Sequence, residues 1–488
     1  MKDRINQTLS RRRLLEVAGK TGVAAAAASA LGPFVPRVAG AASAQSSAIG
    51  ASAVPMAAAG ELEPQEIAVG IFQSPHAEAV RRLGPKFTEL TGGKVSVRVE
   101  SSPFDAISPR KLAMWQAGGN DWDVVWLHGG EWSQIRDSEF AVPLTDYMKP
   151  EWLDPAAFNL EDFPTPLLEM FGYEGKYYVL PFEASAYMQF VRTDLLEQYA
   201  PGTALPAVEG YTWEDFIEIA QTVQEGINSQ GVKDLWATAY IFKTSGDISG
   251  AIMWESTVRS FGHQPFKEDG TPDFNGDLAV EATQMLHDLV FKYKVASPGV
   301  AGYYYQDILE IVNSGKAVLP LQWNASAETN ELPDKSQSAG KLAYAAIPYA
   351  AAAGPTVQRV YPSEHGLSVN PASEKLDAAL EFVFWYTSPE VARDYVTNGG
   401  GVSGRRSLLT DPEIVKTHPW YPAMAKSYEY YFELAPTPAY NQLMSEAIGR
   451  NIIEAWTGNA TVKQVLDKAQ EDALAIMKAT GFVGRSRG

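Results

Sequence analysis

Aromatic and hydrogen-bonding side chains recur where short apolar segments of this sequence end. Phe72 and Gln73 end the first such segment, and Trp126 and His128 end another. Aromatic faces suit the C–H faces of a sugar, and carboxylate, amide and imidazole groups can pair with its hydroxyls. The chain has 12 Trp, so core packing remains the alternative for any single one of them. The candidate ligand contacts are these four residues with Glu183, Tyr187, Trp323, Asn324 and Tyr361.

The segment around Glu183 has the most informative pattern. Residues 177–180 and 186–191 are rich in aromatic and β-branched side chains, which predicts two strands. Pro181 cannot donate a ladder hydrogen bond, so we predict that residues 181–185 form a break or lie at a sheet edge. Glu183, flanked by apolar residues, must reach water or a partner that replaces water. An ordinary strand–bend–strand is the alternative interpretation. A short helix follows at 195–199, with Thr193 or Asp194 as its cap.

Local motifs for metal or nucleophilic chemistry are missing from the sequence. The six histidines, at positions 76, 128, 263, 287, 365 and 418, never lie within five residues of one another. We therefore expect no protein-held catalytic zinc, no other metal site and no cofactor. No G-x-S-x-G elbow occurs. Residues 399–404, GGGVSG, match G-x-G-x-x-G but follow a helix, which favours a flexible ligand-approaching loop over a nucleotide site.

An enzymatic alternative stays open at this point. The 58 Asp and Glu residues could supply a pair of carboxylates, because spacing along a chain does not fix distance in space. That alternative would make the protein an exported carbohydrate-active hydrolase.

Composition narrows the class of protein. The 488 residues, 45% of them hydrophobic, are enough for two or more cores. The absence of cysteine excludes disulfides and thiolate metal sites. A formal net charge of −18 argues against a nucleic-acid or anionic-membrane binder.

The N-terminal residues have the features of an export signal. Residues 10–15, SRRRLL, match the twin-arginine pattern, and an alanine-rich apolar segment follows at 17–30. Ala42-Ser43-Ala44 supplies an A-x-A cleavage site. We predict a signal peptide at 1–44, cleaved near Ala44, and export by the twin-arginine route to the periplasm. Residues 45–64 are Ala/Ser/Gly-rich and predict a disordered linker.

The remaining chain alternates strand and helix patterns. Strands at 66–72, 95–99 and 122–127 enclose helices at 76–90 and 109–117, which is typical of a parallel sheet covered by helices. Later strands are expected at 317–321, 341–347 and 366–369. Thr212 is placed to cap a helix, and further helices are predicted at 278–295, 374–386, 389–397, 441–456 and 462–478.

Several landmarks in this order resemble the extracellular solute-binding proteins of ABC transporters, the family that includes maltose-binding protein. They are EIAVGIF and KFTELTGGKVSV, NDWDVVWLHGGEWSQI, FAVPLTDYM, GKYYVLPFEASAYMQFVRTDLL, NSGKAVLPLQWNAS and HGLSVNPASEKLDAALEFVFWYTSPEVA. The resemblance runs from about Glu66 to the C-terminus. It implies an α/β, two-lobe periplasmic binding protein fold (type II, hinged), in which each lobe is a mixed sheet flanked by helices.

The resemblance also implies a domain division and a function. The expected N-terminal lobe comprises 65–181 and 366–405, and the C-terminal lobe 182–365 and 406–488, with chain crossings at 181–187, 361–369 and 404–411. The expected function is the substrate-binding component of an ABC importer, not an enzyme. It would capture a sugar or glycoside between the lobes and deliver it, as a monomer, to a membrane permease. Polyamine and iron ligands, and a sensory role, remain open alternatives.

Individual residues can be transferred from the resemblance. Glu183 corresponds to a sugar-contacting Glu of maltose-binding protein, Trp126 to a stacking Trp, and Trp323 lies close to a second stacking Trp. Asp247 and Arg405 complete the expected ligand set. The chain departs from maltodextrin binders at Gly129 and Gly130, where charged residues are expected, and at Ser445, where an aromatic is expected. The departures argue against maltodextrin as the ligand.

Overall fold

The computed structural model of the chain describes residues 62–135, 139–150, 153–244, 248–435 and 437–481. The predicted signal peptide and residues 45–61 of the predicted linker lie outside the described residues. None of the helices within the described ranges has the length and apolar character needed to cross a membrane.

A five-stranded mixed sheet organises the first half of the fold. Its strands are β1 (Gln65–Phe72), β2 (Val95–Ser102), β3 (Val124–His128), β6 (Leu180–Ser185) and β10 (Ser363–Val369), in the order β2-β1-β3-β10-β6. β1 is parallel to β2 and β3, as the predicted β-α-β-α-β order requires, whereas β10 is antiparallel to both of its neighbours. The carboxyl ends of β1 and β3 therefore meet at one edge of the sheet.

A three-stranded sheet organises the other half. β7 (Tyr187–Arg192) lies between β8 (Leu321–Trp323) and β9 (Leu342–Ala346), antiparallel to both. A two-stranded hairpin, β4 (Gly172–Tyr173) and β5 (Lys176–Tyr177), precedes β6. Only Ala186 separates β6 in the larger sheet from β7 in the smaller one.

Helices cover both sheets. The helices of eight residues or more are Pro75–Leu90, Phe104–Gln116, Trp213–Ser229, Ser249–Ser260, Asp277–Phe291, Tyr305–Asn313, Leu376–Tyr386, Pro389–Thr397, Tyr421–Tyr428 and Val462–Thr480. The shorter α-helices are Gly129–Ile135, Pro155–Phe158, Thr165–Met170, Thr193–Tyr199, Ala327–Asn330, Arg406–Leu409, Pro412–Val415, Tyr440–Gln442 and Arg450–Trp456. Short 3-10 turns are at Leu144–Tyr147, Leu160–Asp162, Pro298–Gly302 and Asn324–Ser326.

Buried apolar side chains fill the space between the sheets and these helices. Ile67, Val69 and Ile71 alternate with small residues along β1 and have no exposed surface. The predicted cap at Thr212 is confirmed, because its side chain accepts the N–H of Asp215.

Several predicted elements are wrong in detail. Residues 181–185 form part of β6 and are not a break; the alternative that Pro181 marks an edge is the one observed, because β6 is an edge strand and its register with β10 shifts next to Pro181. Neither Thr193 nor Asp194 is the N-cap of the helix Thr193–Tyr199, since Arg192 occupies that position without a side-chain bond. The strand predicted at 317–321 is instead β8 (Leu321–Trp323). The single helix predicted at 441–456 contains a π-helical segment, Leu443–Gly449.

Candidate functional site

Three side chains that are distant in the sequence meet at the carboxyl edge of the larger sheet. His76 comes from the first turn of the helix Pro75–Leu90, Glu183 from β6 and His365 from β10. Each offers one ligand atom, and these atoms lie within 4.8 Å of one another. His365 and Glu183 are direct partners across the β6–β10 ladder, with His365 Nε2 3.7 Å from Glu183 Oε2. We call this group the triad.

Glu183 is only 2% exposed. Its Oε1 accepts a 2.7 Å bond from Ser185 Oγ, while Oε2 has no hydrogen-bond partner among the described residues. Burial raises the pKa of Glu183 from 4.5 to about 8, and the bond from Ser185 offsets a smaller part of that rise. The unpartnered oxygen can therefore bind a polar group that enters the site.

Trp126 fixes the orientation of His365. Its indole Nε1–H donates to His365 Nδ1 at 3.1 Å, so the proton of the neutral imidazole is on Nε2, which faces Glu183. Burial holds the pKa of His365 well below 6.5, and the neighbouring His76, His128 and Lys111 lower it further. His365 is thus uncharged at neutral pH.

His76 is oriented by the glycine-rich loop at residues 399–404. The carbonyl oxygen of Gly400 lies 2.9 Å from His76 Nδ1, and Tyr395 Oη lies 2.6 Å from the same atom. A carbonyl only accepts, so Nδ1 carries the proton and Nε2 keeps its lone pair. Burial lowers the pKa of His76 to about 4, although the Gly400 bond opposes this shift.

A buried ion pair lies behind Trp126. Lys111 Nζ bonds to the carbonyl of Trp126 at 2.8 Å and to Glu131 Oε2 at 2.6 Å, and it lies 4.4 Å from the centre of the Trp126 ring. His128 Nε2 is 3.7 Å from the same Glu131 oxygen. Burial acts to raise the pKa of Glu131, but Lys111 and His128 outweigh it, and the pKa is lowered.

Phe72 covers the cleft side of Trp126. Its ring centre is 4.5 Å from that of Trp126 and 4.9 Å from that of His365. Trp126 itself has no exposed surface. Its position as a wall behind Phe72 and His365 differs from the direct stacking role that the resemblance implied.

A second aromatic group lies at the end of the smaller sheet. The partly exposed Trp323 packs on Tyr187, with ring centres 4.2 Å apart, and edge-on to Tyr361 at 6.4 Å. Asn324 Oδ1 accepts the N–H of Ala186 at 2.7 Å, while its buried Nδ2 has no partner among the described residues. The structure thus brings Tyr187, Trp323, Asn324 and Tyr361 together beside the strand that carries Glu183.

Three predicted ligand residues are not part of these groups. Arg405 is buried between Phe158 and Phe163, and its guanidinium bonds to backbone carbonyls of Thr387 and Asn159. Gln73 is exposed at the end of β1. Asp247 lies outside the described residues.

Of the two glycines that depart from the maltodextrin-binder pattern, Gly129 has a steric reason to be glycine, whereas Gly130 is only tightly packed. A Cβ on Gly129 would lie 2.0 Å from Met170 Sδ and 2.4 Å from Glu364 Oε1. The Gly129 N–H donates to that same Glu364 oxygen at 2.7 Å. A Cβ on Gly130 would lie 3.1 Å from Asn441 Oδ1.

The sequence pattern missed His76 and His365 as site residues. Histidine spacing along the chain gave no indication of their proximity, because three separate elements bring the triad together. The glycine-rich 399–404 loop was a partial indication: Gly401 has φ of 123°, and Ser403 pairs with Glu183 in an antiparallel bridge.

A separate surface groove of about 470 Å³ lies between the helices Trp213–Ser229 and Asp277–Phe291. Carboxylates of Glu214, Asp277, Glu281 and Asp288 line it together with apolar side chains. It contains none of the candidate ligand residues, so the region around the triad and Trp323 remains the better candidate.

The fold and site agree with one protein family. Residues 73–393 match the family described as "Bacterial extracellular solute-binding protein", and the chain belongs to that family. It is a solute-binding protein and not an enzyme, because members of this family bind substrates for ABC transporters.

Curated relatives are distant but cover most of the chain. A probable amino-acid ABC transporter periplasmic-binding protein of Sinorhizobium fredii is 24% identical over 349 residues, 71% of this chain and 74% of the relative. A mannitol-binding protein of Pseudomonas aeruginosa is 25% identical over 356 residues, 68% of this chain and 77% of the relative.

Solved structures share the fold. An ABC transporter solute-binding protein from Agrobacterium radiobacter K84, in complex with ribitol, superimposes with a TM-score of 0.71 at 22% identity. The match covers 85% of this chain and 99% of that structure. The two-lobe α/β architecture is therefore confirmed. Because the family consists of extracellular solute-binding proteins, the protein is located outside the cytoplasm.

Proposed function

We propose that the protein captures a sugar, glycoside or sugar alcohol between its two lobes for an ABC importer. The observation that supports this most directly is the pairing of unfilled polar atoms with aromatic faces. Glu183 Oε2 and Asn324 Nδ2 are buried without partners among the described residues, and Phe72 and Trp323 lie beside them partly exposed. Unpaired buried polar atoms are costly, so a ligand that satisfies them gains affinity.

The chemistry of the site fits a polyhydroxylated solute. A hydroxyl both donates and accepts, and the site offers a carboxyl oxygen, an amide N–H, an imidazole N–H at His365 and an imidazole lone pair at His76. Relatives bind comparable solutes, since one is named for mannitol and one structure contains ribitol. Micromolar affinity requires about 8 kcal/mol, which a few hydrogen bonds and one or two stacked rings can supply.

Transport follows from the linkage between ligand and lobe closure. A ligand that contacts both lobes favours the closed form by its differential affinity for that form. The closed form, as a monomer, would dock on the membrane permease through both lobes. The twin-arginine pattern at residues 10–15 supports export of the folded protein to the periplasm, with cleavage near Ala44.

A thermal-shift screen of sugars and sugar alcohols, followed by titration calorimetry, tests the proposal. We expect at least one such compound to bind with one-to-one stoichiometry. Trp323→Ala should weaken binding of that compound by about tenfold to a hundredfold, because a stacked ring is lost. Phe291→Ala, which changes an aromatic 43% exposed on a remote helix, is the matched control. Equal affinity in both variants would refute the site.

A further inference from the structure

The triad has a composition that its proposed role in sugar binding does not require. Two imidazoles and one carboxylate from three different elements converge in a largely buried place. We propose that His76, Glu183 and His365 bind a divalent transition-metal ion, with Zn²⁺ as the best-matched ion. Two imidazoles and one carboxylate are a common ligand set for Zn²⁺ sites that keep a coordination position open.

The spacing of the ligand atoms fits one ion. Two ligands about 2.1 Å from a zinc ion and 109–120° apart are roughly 3.4–3.6 Å from each other. The observed separation of His365 Nε2 and Glu183 Oε2 is 3.7 Å. No pair of ligand atoms in the triad is farther apart than 4.8 Å, so a side-chain adjustment of about 1 Å completes the site.

Two ligands already have the outer contacts that metal ligands need. The His76 Nδ1 proton is held by the Gly400 carbonyl, which leaves the Nε2 lone pair available for a metal ion. Such a bond from the non-ligating nitrogen is the usual support of a metal-bound imidazole. Glu183 is supported in the same way, because Ser185 holds Oε1 and leaves Oε2 free.

The electrostatics favour a cation at this position. Among the described residues, no Lys or Arg forms an ion pair with Glu183. The nearest buried amine in the site, Lys111, is paired with Glu131 behind Trp126. A metal ion would displace the proton from the Glu183 carboxyl and supply the positive charge that the ionised carboxylate then needs.

The hydrogen bond from Trp126 to His365 opposes metal binding, and the size of its effect on metal affinity follows from the strength of that bond. Because Trp126 donates to His365 Nδ1, the His365 proton is on the nitrogen that must bind the metal. Binding requires that proton to move to Nδ1, where it would point at the indole N–H, so the two rings must turn apart and their hydrogen bond is lost. The lost bond lowers metal affinity by about tenfold to a hundredfold, which weakens a two-His, one-carboxylate site without abolishing it.

Metal titration of the mature full-length chain, purified without a histidine tag and stripped with a chelator, tests the site. It uses Zn²⁺ by calorimetry and Co²⁺ by visible absorption, with no sugar present. We expect one ion per chain and a Co²⁺ spectrum of mixed nitrogen and oxygen ligands. The result is independent of the sugar screen, so failure here and failure of the proposed function are distinguishable. Absence of saturable one-to-one binding would overturn the proposal.

Single substitutions assign the ligands. His76→Ala, Glu183→Gln and His365→Gln should each weaken Zn²⁺ binding at least tenfold, whereas His287→Gln, at a histidine remote from the triad, should leave it unchanged. Circular dichroism and melting temperature establish that each variant is folded. Retention of full affinity in any two of the three folded variants would overturn the assignment.

The variant Trp126→Phe distinguishes an effect of the indole N–H on Zn²⁺ affinity from a role of Trp126 in packing alone. It removes the indole N–H but keeps an aromatic ring over Lys111. We expect Zn²⁺ to bind about tenfold more tightly or better, because His365 Nδ1 is then free to carry the proton. Unchanged or weaker Zn²⁺ binding in the folded variant would contradict the proposal that the Trp126 indole N–H lowers metal affinity.

Discussion

Lys111 is a buried cation behind the site, and Glu131 is its one charged partner among the described residues. The Lys111 side chain is 1% exposed and Glu131 is 12% exposed. Removing one member of a buried pair leaves an uncompensated charge, which costs about 3–5 kcal/mol. The Lys111–Glu131 pair therefore offers a test of stability that does not depend on any ligand.

We expect Glu131→Gln to destabilise the protein by about 3–5 kcal/mol at neutral pH. The folded-state pKa of Glu131 is lowered, so the wild-type contribution is present above pH 4.5 and is lost as pH falls through that lowered pKa. The difference between variant and wild type should shrink in acid. Urea unfolding of the variant and the wild type at pH 7, and again at the lowest pH that preserves the fold, measures the destabilisation at neutral pH and its decrease in acid.

Glu413→Gln is the control for that experiment. Glu413 pairs with Lys416 on the surface, where the two side chains are 74% and 67% exposed. Exposed pairs contribute about 0–1 kcal/mol, so this variant should unfold like the wild type. Equal losses in the two variants would contradict the importance of burial.

Part of the candidate site could be predicted from the types of its residues, and the rest became visible only when the fold brought distant residues together. Glu183, Trp323 and Asn324 could be selected because polar groups at the ends of apolar strands are unusual. His76 and His365 could not be paired in that way, since only the β6–β10 register and the 399–404 loop bring them together. Arg405 could not be placed from sequence either, because the buried contacts of its guanidinium with the carbonyls of Thr387 and Asn159 join distant parts of the chain.

At the scale of elements, the junction after β3 is sterically tight. Gly129 begins the helix Gly129–Ile135, and its missing Cβ makes room for Met170 and Glu364. Methionine can shift, but Glu364 is 1% exposed and holds the Gly129 N–H. The junction therefore tolerates only a glycine without rearrangement.

Gly129→Ala should destabilise the protein by about 1–3 kcal/mol through overpacking. Gly302→Ala is the control, because no atom lies within 4 Å of its added Cβ and its φ is not in the left-handed region. Differential scanning calorimetry of the two variants compares them directly. If the Gly129→Ala variant had the same melting temperature as the wild type, Met170 and Glu364 would have moved away from the added Cβ at no cost, and the prediction would be wrong.

Regular helices and strands were predictable from sequence because their patterns are local. The helix Pro389–Thr397 was predicted with its observed bounds, since Pro389 and the Ser388 cap mark its start. Strand β6 was not, because edge position and a register shift let Pro181 stay in a ladder. The π-helical segment Leu443–Gly449 has no sequence pattern that distinguishes it from an ordinary helix. The predicted lobe boundaries stay a prediction.

At the scale of the whole molecule, ligand binding should stabilise both lobes together. At a ligand concentration 100 times Kd, the gain is about 2.7 kcal/mol. For a cooperative unit of about 420 residues, with an unfolding entropy of about 2.1 cal/mol/K per residue, that gain raises Tm by about 3 °C. The best compound from the screen should also reduce the radius of gyration in small-angle scattering. A Tm rise without compaction would contradict lobe closure.

The link between the sheets limits which motions are open to the molecule. One residue, Ala186, separates β6 from β7, and one amino acid spans at most about 3.6 Å. Its N–H is bonded to Asn324, so even this short joint is tethered. The two sheets have no slack to slide apart at this point, and the proposed solute site lies beside it. Small atomic shifts there become large displacements at the outer rims, where a membrane partner would sense whether the protein is loaded.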